Sequence, residues 1–151
     1  MSTSSLTRVI RRQEGLSFAD GHLHGSKSLI NMYRHMDSNP GFHGLLLATF
    51  LRDVDHNGME CLAASLVAEF KQEPKNIYLY PITDDIDNTY VEYVYTIYVK
   101  PDEEYYISIW ARWGENPNAV VKGEVIFVGT PHMLLDKFVI NPLKKPLSWI
   151  Q

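Results

Sequence analysis

The strongest periodic signal in the chain lies between Met59 and Phe70. Met59, Leu62, Ala63, Leu66, Val67 and Phe70 follow the i, i+3, i+4 spacing of an amphipathic helix. Asn57 is a good N-cap, Glu60 three residues later completes a capping box, and Pro74 blocks continuation. The pattern predicts a helix over about 57–72. Elsewhere the period shortens. Asn76–Thr83, Tyr90–Val99, Tyr105–Trp113 and Val120–Val128 read as strands, with Val91, Tyr93, Tyr95, Ile97 and Val99 on one face of the second. The continuous apolar run Gly44–Leu51 predicts a further strand, buried on both faces. Leu29, Ile30, Tyr33 and Met36 recur on one face of a helix over Lys27–Asp37, which Ser26 caps and Asn39-Pro40-Gly41 stops. Thr130–Lys137 reads as a short helix, followed by an irregular tail in which Trp149 and Ile150 pack. Residues 1–25, opened by Ser and Thr and broken by Gly15, Gly21 and Gly25, read as a flexible N-terminal segment ahead of a single domain over 26–151.

Strand, helix and strand followed by hairpins predict an α+β fold: a ferredoxin-like α/β sandwich, its antiparallel sheet carrying helices on one face. The helix over 57–72 then acts as a right-handed crossover between parallel, non-adjacent strands. Its C-terminal end would carry Glu69 to the rim where those strands start, at Phe42-His43-Gly44 and Asn76-Ile77-Tyr78. The turn Pro101–Glu104 would reach the same rim. Glu69 sits about 90° from the centre of the apolar stripe, beside the core rather than on the wet back of the helix. A carboxylate there can meet a cationic ligand with less competition from water, although the ordinary role of such a Glu is a solvated charge.

Composition narrows the function classes. The 151 residues suit one domain, and the 45% apolar share supports a real core. A net charge of -4 argues against a dedicated nucleic-acid binder, which usually shows a basic patch. One cysteine, Cys61, leaves no intrachain disulfide framework and fits a reducing cytoplasm. No apolar run approaches a membrane span, and the polar then basic Met1–Arg12 does not read as a secretory signal. Nine Tyr, mostly between Tyr78 and Tyr106, suit a sheet rich in aromatic strand formers, with a ring to spare for stacking on a flat ligand.

Common catalytic motifs are missing or incomplete. Asp53-Val54-Asp55-His56-Asn57-Gly58 imitates the start of a calcium loop, but the twelfth position is Ala64 instead of the bidentate Glu. His22-Leu23-His24 offers two imidazoles without partner ligands, so no metal is expected. No phosphate loop and no Gly-x-Ser-x-Gly elbow occurs, and Cys61 inside a helix makes a poor nucleophile.

Three stretches together resemble a known family: Arg34-His35-Met36, Pro40-Gly41-Phe42-His43-Gly44, and Ala68-Glu69-Phe70-Lys71-Gln72 before an apolar strand. They are similar to the phage-encoded S-adenosylmethionine-degrading enzymes, long called hydrolases and better described as lyases. The likeness covers roughly residues 34–80. It implies a GlnB-like sandwich related to the PII signalling proteins, a homotrimer with active sites between subunits, and no cofactor. It also implies Glu69 as the catalytic carboxylate, and a role in the cytoplasm of an infected bacterium, where loss of S-adenosylmethionine counters host restriction and modification. His43, Tyr78 and Glu104 join as substrate-binding candidates from the expected rim, Tyr78 as a ring for adenine and Glu104 as a carboxylate for the ammonium.

The chemistry asks for little. The leaving group on Cγ cleavage is a neutral thioether, so no general acid is required. The substrate's own carboxylate can attack Cγ, giving methylthioadenosine and homoserine lactone, if the site folds the substrate and excludes water. A hydrolase would use a positioned water, with Glu69 as its base. The residues do not separate these routes; the resemblance favours the lyase. A non-catalytic, trimeric PII-like small-molecule-binding domain is the main alternative, although Asp84–Asn88 has no phosphate-cradling Gly or basic cluster. An acidic phage inhibitor of a host nuclease ranks last, because the acidic residues are scattered among Lys and Arg.

Overall fold

The computed structural model describes residues 3–10, 17–19, 22–24, 28–54, 58–82, 90–99, 104–113 and 123–139, the backbone alone at 17–19, 22–24 and 139. Its strands are β1 (Ser5–Ile10), β2 (Ser17–Ala19), β3 (His22–His24), β4 (Ser28–Arg34), β5 (Ile77–Tyr80), β6 (Tyr93–Val99), β7 (Tyr105–Ala111) and β8 (Glu124–Gly129). Its helices are α1 (Leu45–Asp53), entered through a π-helical turn at Pro40–Gly44, α2 (Gly58–Phe70) and α3 (Pro131–Val139). The fold is α+β. Six strands form one mixed sheet in the order β5-β4-β1-β6-β7-β8, while β2 and β3 pair as a separate hairpin. Every neighbouring pair in the large sheet is antiparallel except β1 and β6 at its centre.

The helices share one face. Leu47, Ala48 and Leu51 of α1, Leu62, Ala63 and Leu66 of α2, and Leu134 of α3 join Val9, Met32, Tyr95, Ile97, Ile107 and Ile109 of the sheet in one buried cluster. Leu62 and Leu66 are fully buried, so the helix expected over 57–72 presents the stripe its spacing predicts. The other face of the sheet is also apolar, with Leu6, Val94 and Trp110 in one cluster and Ile10 and Tyr98 in another. No helix is long and apolar enough to cross a membrane among the described residues.

Three expectations are corrected. The opening of the chain is not all loosely held: Ser5–Ile10 is a central strand with every residue buried. Its polar residues, Ser5, Thr7 and Arg8, mask the signal of Leu6, Val9 and Ile10. Lys27–Asp37 is not a helix but contains β4, because pairing with β1 and β5 outweighs a spacing that fits either period. Gly44–Leu51 is not a strand but the start of α1. Leucine is a strong helix former, and Leu47, Ala48 and Leu51 turn inward while Leu46 and Thr49 face out. Consequently α2 makes no crossover between parallel strands. The excursion through α1 and α2 joins β4 to β5, which are antiparallel neighbours. The strands expected over 76–83, 90–99, 105–113 and 120–128 overlap β5 to β8, and the helix expected over Thr130–Lys137 overlaps α3, which starts one residue later and ends two residues later. Asn57, the turns at 84–88 and 114–118, Pro101–Glu103 and the tail with Trp149 and Ile150 lie outside the described residues.

Candidate functional site

A groove of about 850 Å³ runs between α1 and α2 at the end of the sheet where β4 stops and β5 starts. Both walls are helical stripes with i, i+3, i+4, i+7 spacing: Leu46, Thr49, Phe50 and Asp53 from α1, then Ser65, Ala68, Glu69 and Gln72 from α2 and just beyond it. Phe42 and Phe70 add two more rings, and Arg34 and Asn76 bring polar groups from the strand ends. The volume lies in the range of small-molecule sites, which pair apolar walls with a few convergent polar groups.

The π-helical turn sets which side chains face the groove. It exposes Phe42 (47%) while turning His43 and Gly44 inward. Such turns interrupt the α ladder and often mark functional positions. The preceding loop is pinned from below. Ser38 N–H donates to Thr3 Oγ1 at 2.8 Å, Ser5 Oγ donates to Ser38 Oγ at 2.9 Å, and Tyr95 OH donates to the Ser38 carbonyl at 2.6 Å. Arg34 Nε donates to the Met36 carbonyl at 2.8 Å, and its guanidinium lies 5.4 Å from the centre of the Phe42 ring. At the other wall, Asn76 Nδ2 caps α2 by donating to the Phe70 carbonyl at 2.9 Å. Its Oδ1 is buried with no hydrogen-bond partner among the described residues.

His43 lies behind the groove, fully buried. Its Nε2 is 2.8 Å from Thr7 Oγ1, and its Nδ1 is 3.4 Å from Arg34 Nη1. A guanidinium only donates, so Nδ1 accepts, and the ring proton sits on Nε2 and is donated to Thr7. Tyr95 and Phe70 meet the ring edge-on at 4.8 and 5.4 Å. Burial, reinforced by the Arg34 charge, lowers the His43 pKa to about 3, so the imidazole is neutral at physiological pH. Burial also lowers the pKa of Arg34, while Asp37 and then Tyr95 favour its charge.

The four sequence candidates separate. Glu69 is exposed and lines the groove. His43 is a core residue one layer behind it, because the π-helical turn points the imidazole at Tyr95 and Phe70 rather than outward; the expected position at the pocket surface is corrected to a buried one, with Nδ1 3.4 Å from Arg34 Nη1. Tyr78 is 44% exposed but stands on the face of the sheet away from the helices, since Ile77 beside it faces the helical core. Its ring neighbours Tyr33 at 6.2 Å and the Lys71 ammonium at 5.7 Å, not the groove. Glu104 precedes β7 at the opposite end of the sheet. β6 runs parallel to β1, so Val99 and its partner Tyr105 lie at the Ile10 end, whereas Arg34 pairs with Ser5 at the other. The shared rim that would unite Glu104 with Glu69 is therefore not formed.

Phe42, Phe50, Arg34 and Asn76 complete the groove and were not among the candidates. Arg34 and Phe42 do stand inside the stretches that carry the resemblance. Phe50 is hidden by reading Gly44–Leu51 as a strand, which gives it no helical face to share with Asp53. Comparison of the chain with known protein families, with curated proteins and with solved structures gives no match.

Proposed function

We propose that the groove between α1 and α2 binds S-adenosylmethionine and that the protein is a lyase for it. One observation carries this reading. The three stretches that resemble the S-adenosylmethionine-degrading enzymes are separated in sequence, yet each contributes to this one groove: Arg34 from the first, Phe42 from the second, and Ala68, Glu69, Phe70 and Gln72 from the third. Phe42 supplies the exposed ring for adenine that Tyr78 does not. Glu69 holds the cationic part of the substrate and orients it. An oxygen of the substrate carboxylate then attacks Cγ, the Cγ–S bond breaks, and its electron pair leaves on sulfur. The products are homoserine lactone and neutral methylthioadenosine, with no proton transfer required for departure.

The homotrimer belongs to the same proposal. Phe42 (47%) and Leu46 (43%) expose apolar surface at the groove, and a neighbouring protomer seated there would cover it. The finer GlnB-like likeness rests on the resemblance and the ferredoxin-like one on the expected order of elements; the parallel β1–β6 pair departs from the all-antiparallel sheet that order predicts. The biological role proposed is depletion of S-adenosylmethionine in an infected bacterial cytoplasm.

The test is incubation of the purified protein with S-adenosylmethionine and chromatographic separation of products. Methylthioadenosine with homoserine lactone supports the lyase, and methylthioadenosine with homoserine indicates a hydrolase. Binding without product indicates the PII-like binding domain. Mass measurement in solution reads the trimer.

A further inference from the structure

Among the described residues, Arg34 is the only basic one lining the groove. Two carboxylates line it, Glu69 and Asp53, but Asp53 is engaged by Arg52 through bonds of 2.9 and 3.0 Å. Lys71, which follows α2, is committed elsewhere, donating to the Ile77 carbonyl at 2.8 Å. Among the described residues, the groove therefore offers one uncommitted carboxylate and one guanidinium. Arg34 forms no salt bridge among the described residues. Two of its contacts fix its direction: Nε on the Met36 carbonyl, and Nη1 against neutral His43 Nδ1. Its Cζ lies over the Phe42 ring, 5.4 Å from the centroid. A planar fork held in this way, with N–H groups left over, suits charge-assisted hydrogen bonding to one oxygen of a carboxylate.

We infer that Arg34 is the carboxylate-recognition residue of the groove, so that its ligand is an α-amino acid zwitterion, held at the carboxylate by Arg34 and at a cationic group by Glu69. This rests on the reading of the groove as the S-adenosylmethionine site and deepens it. The same guanidinium that anchors one carboxylate oxygen leaves the other free to reach Cγ. His43 is a positioning residue, acting through Arg34. A single Arg facing two carboxylates is a poor match for polyphosphates, which disfavours nucleoside di- and triphosphates as ligands.

The test is calorimetric binding of S-adenosylmethionine and of its decarboxylated analogue to the full chain, as wild type, Arg34→Gln and Arg34→Lys. Wild type is expected to prefer the carboxylated ligand by about 10–100-fold, the range for one charged hydrogen-bonded contact. Arg34→Gln should bind both ligands equally at the weaker level, and Arg34→Lys should recover part of the preference. A wild type that binds both ligands equally overturns the inference, and this needs no variant to fold. So does an Arg34→Gln protein that keeps the wild-type preference. In either case the lyase reading stands if S-adenosylmethionine is still turned over. A wild type that binds neither ligand overturns both.

Discussion

The two ends of the sheet carry similar side chains but different surroundings. At one end, Arg34, Phe42, Phe70 and Asn76 converge with Glu69 on a groove. At the other, Glu104 precedes the aromatic Tyr105, the first residue of β7, where β7 pairs with the end of β6. A carboxylate and an aromatic ring are present in both places. What differs is the long helical excursion between β4 and β5, which walls only one end. A residue type suited to a ligand becomes a site only where the backbone brings a second, complementary group to it, here a guanidinium to a carboxylate.

This contrast orders the expected effects. Glu69→Gln should lower the rate of product formation by about 100-fold or more, the scale of removing one preorganised electrostatic contact. It should leave the thermal midpoint nearly unchanged, because Glu69 is exposed; rate and melting measured on one preparation check both halves. His43 should instead govern acid stability. Its folded pKa, about 3, lies below the unfolded value near 6.5, so between these pH values the unfolded state binds the extra proton. Stability from this group is present above about 6.5 and is lost progressively as pH falls toward 3, by on the order of a few kcal/mol. Urea titrations across that window should show the loss, and His43→Gln should flatten it.

Phe42→Ala should weaken binding of methylthioadenosine by roughly 5- to 100-fold, as expected for loss of one ring stacked on a base. Tyr78→Ala and Glu104→Gln, at the other face and the other end, should change turnover less than about twofold, in line with surface substitutions remote from a site. A large loss from Glu104→Gln would mean that the ends of the sheet were assigned the wrong roles.

Much of this organisation could be read from residue order. α2 was legible because its apolar spacing is unambiguous, and β6 and β7 because Tyr, Val and Ile alternate there. β1 was not, since half of its buried residues are polar and gain their partners only in the fold, as Ser5 does at Ser38 and Thr7 at His43. α1 and β4 were exchanged in type because short apolar runs fit either period, and only pairing with β1 and β5 decides β4. The place of Glu69 beside the stripe was legible from its angular position on the helix, and it lines the groove. His43 was placed one layer too far out because a π-helical turn shifts which residue faces in, and nothing in Pro40-Gly41-Phe42-His43-Gly44 announces it. Glu104 was placed at the wrong end because an antiparallel sheet was expected and the central pair is parallel.

The most direct measurement is a crystal structure of the protein soaked with methylthioadenosine. The adenine should lie against Phe42 between α1 and α2, with the thioether side of the molecule toward Glu69. Ligand found only at the Glu104 end, or on the sheet face that carries Tyr78, would contradict the assignment of the groove.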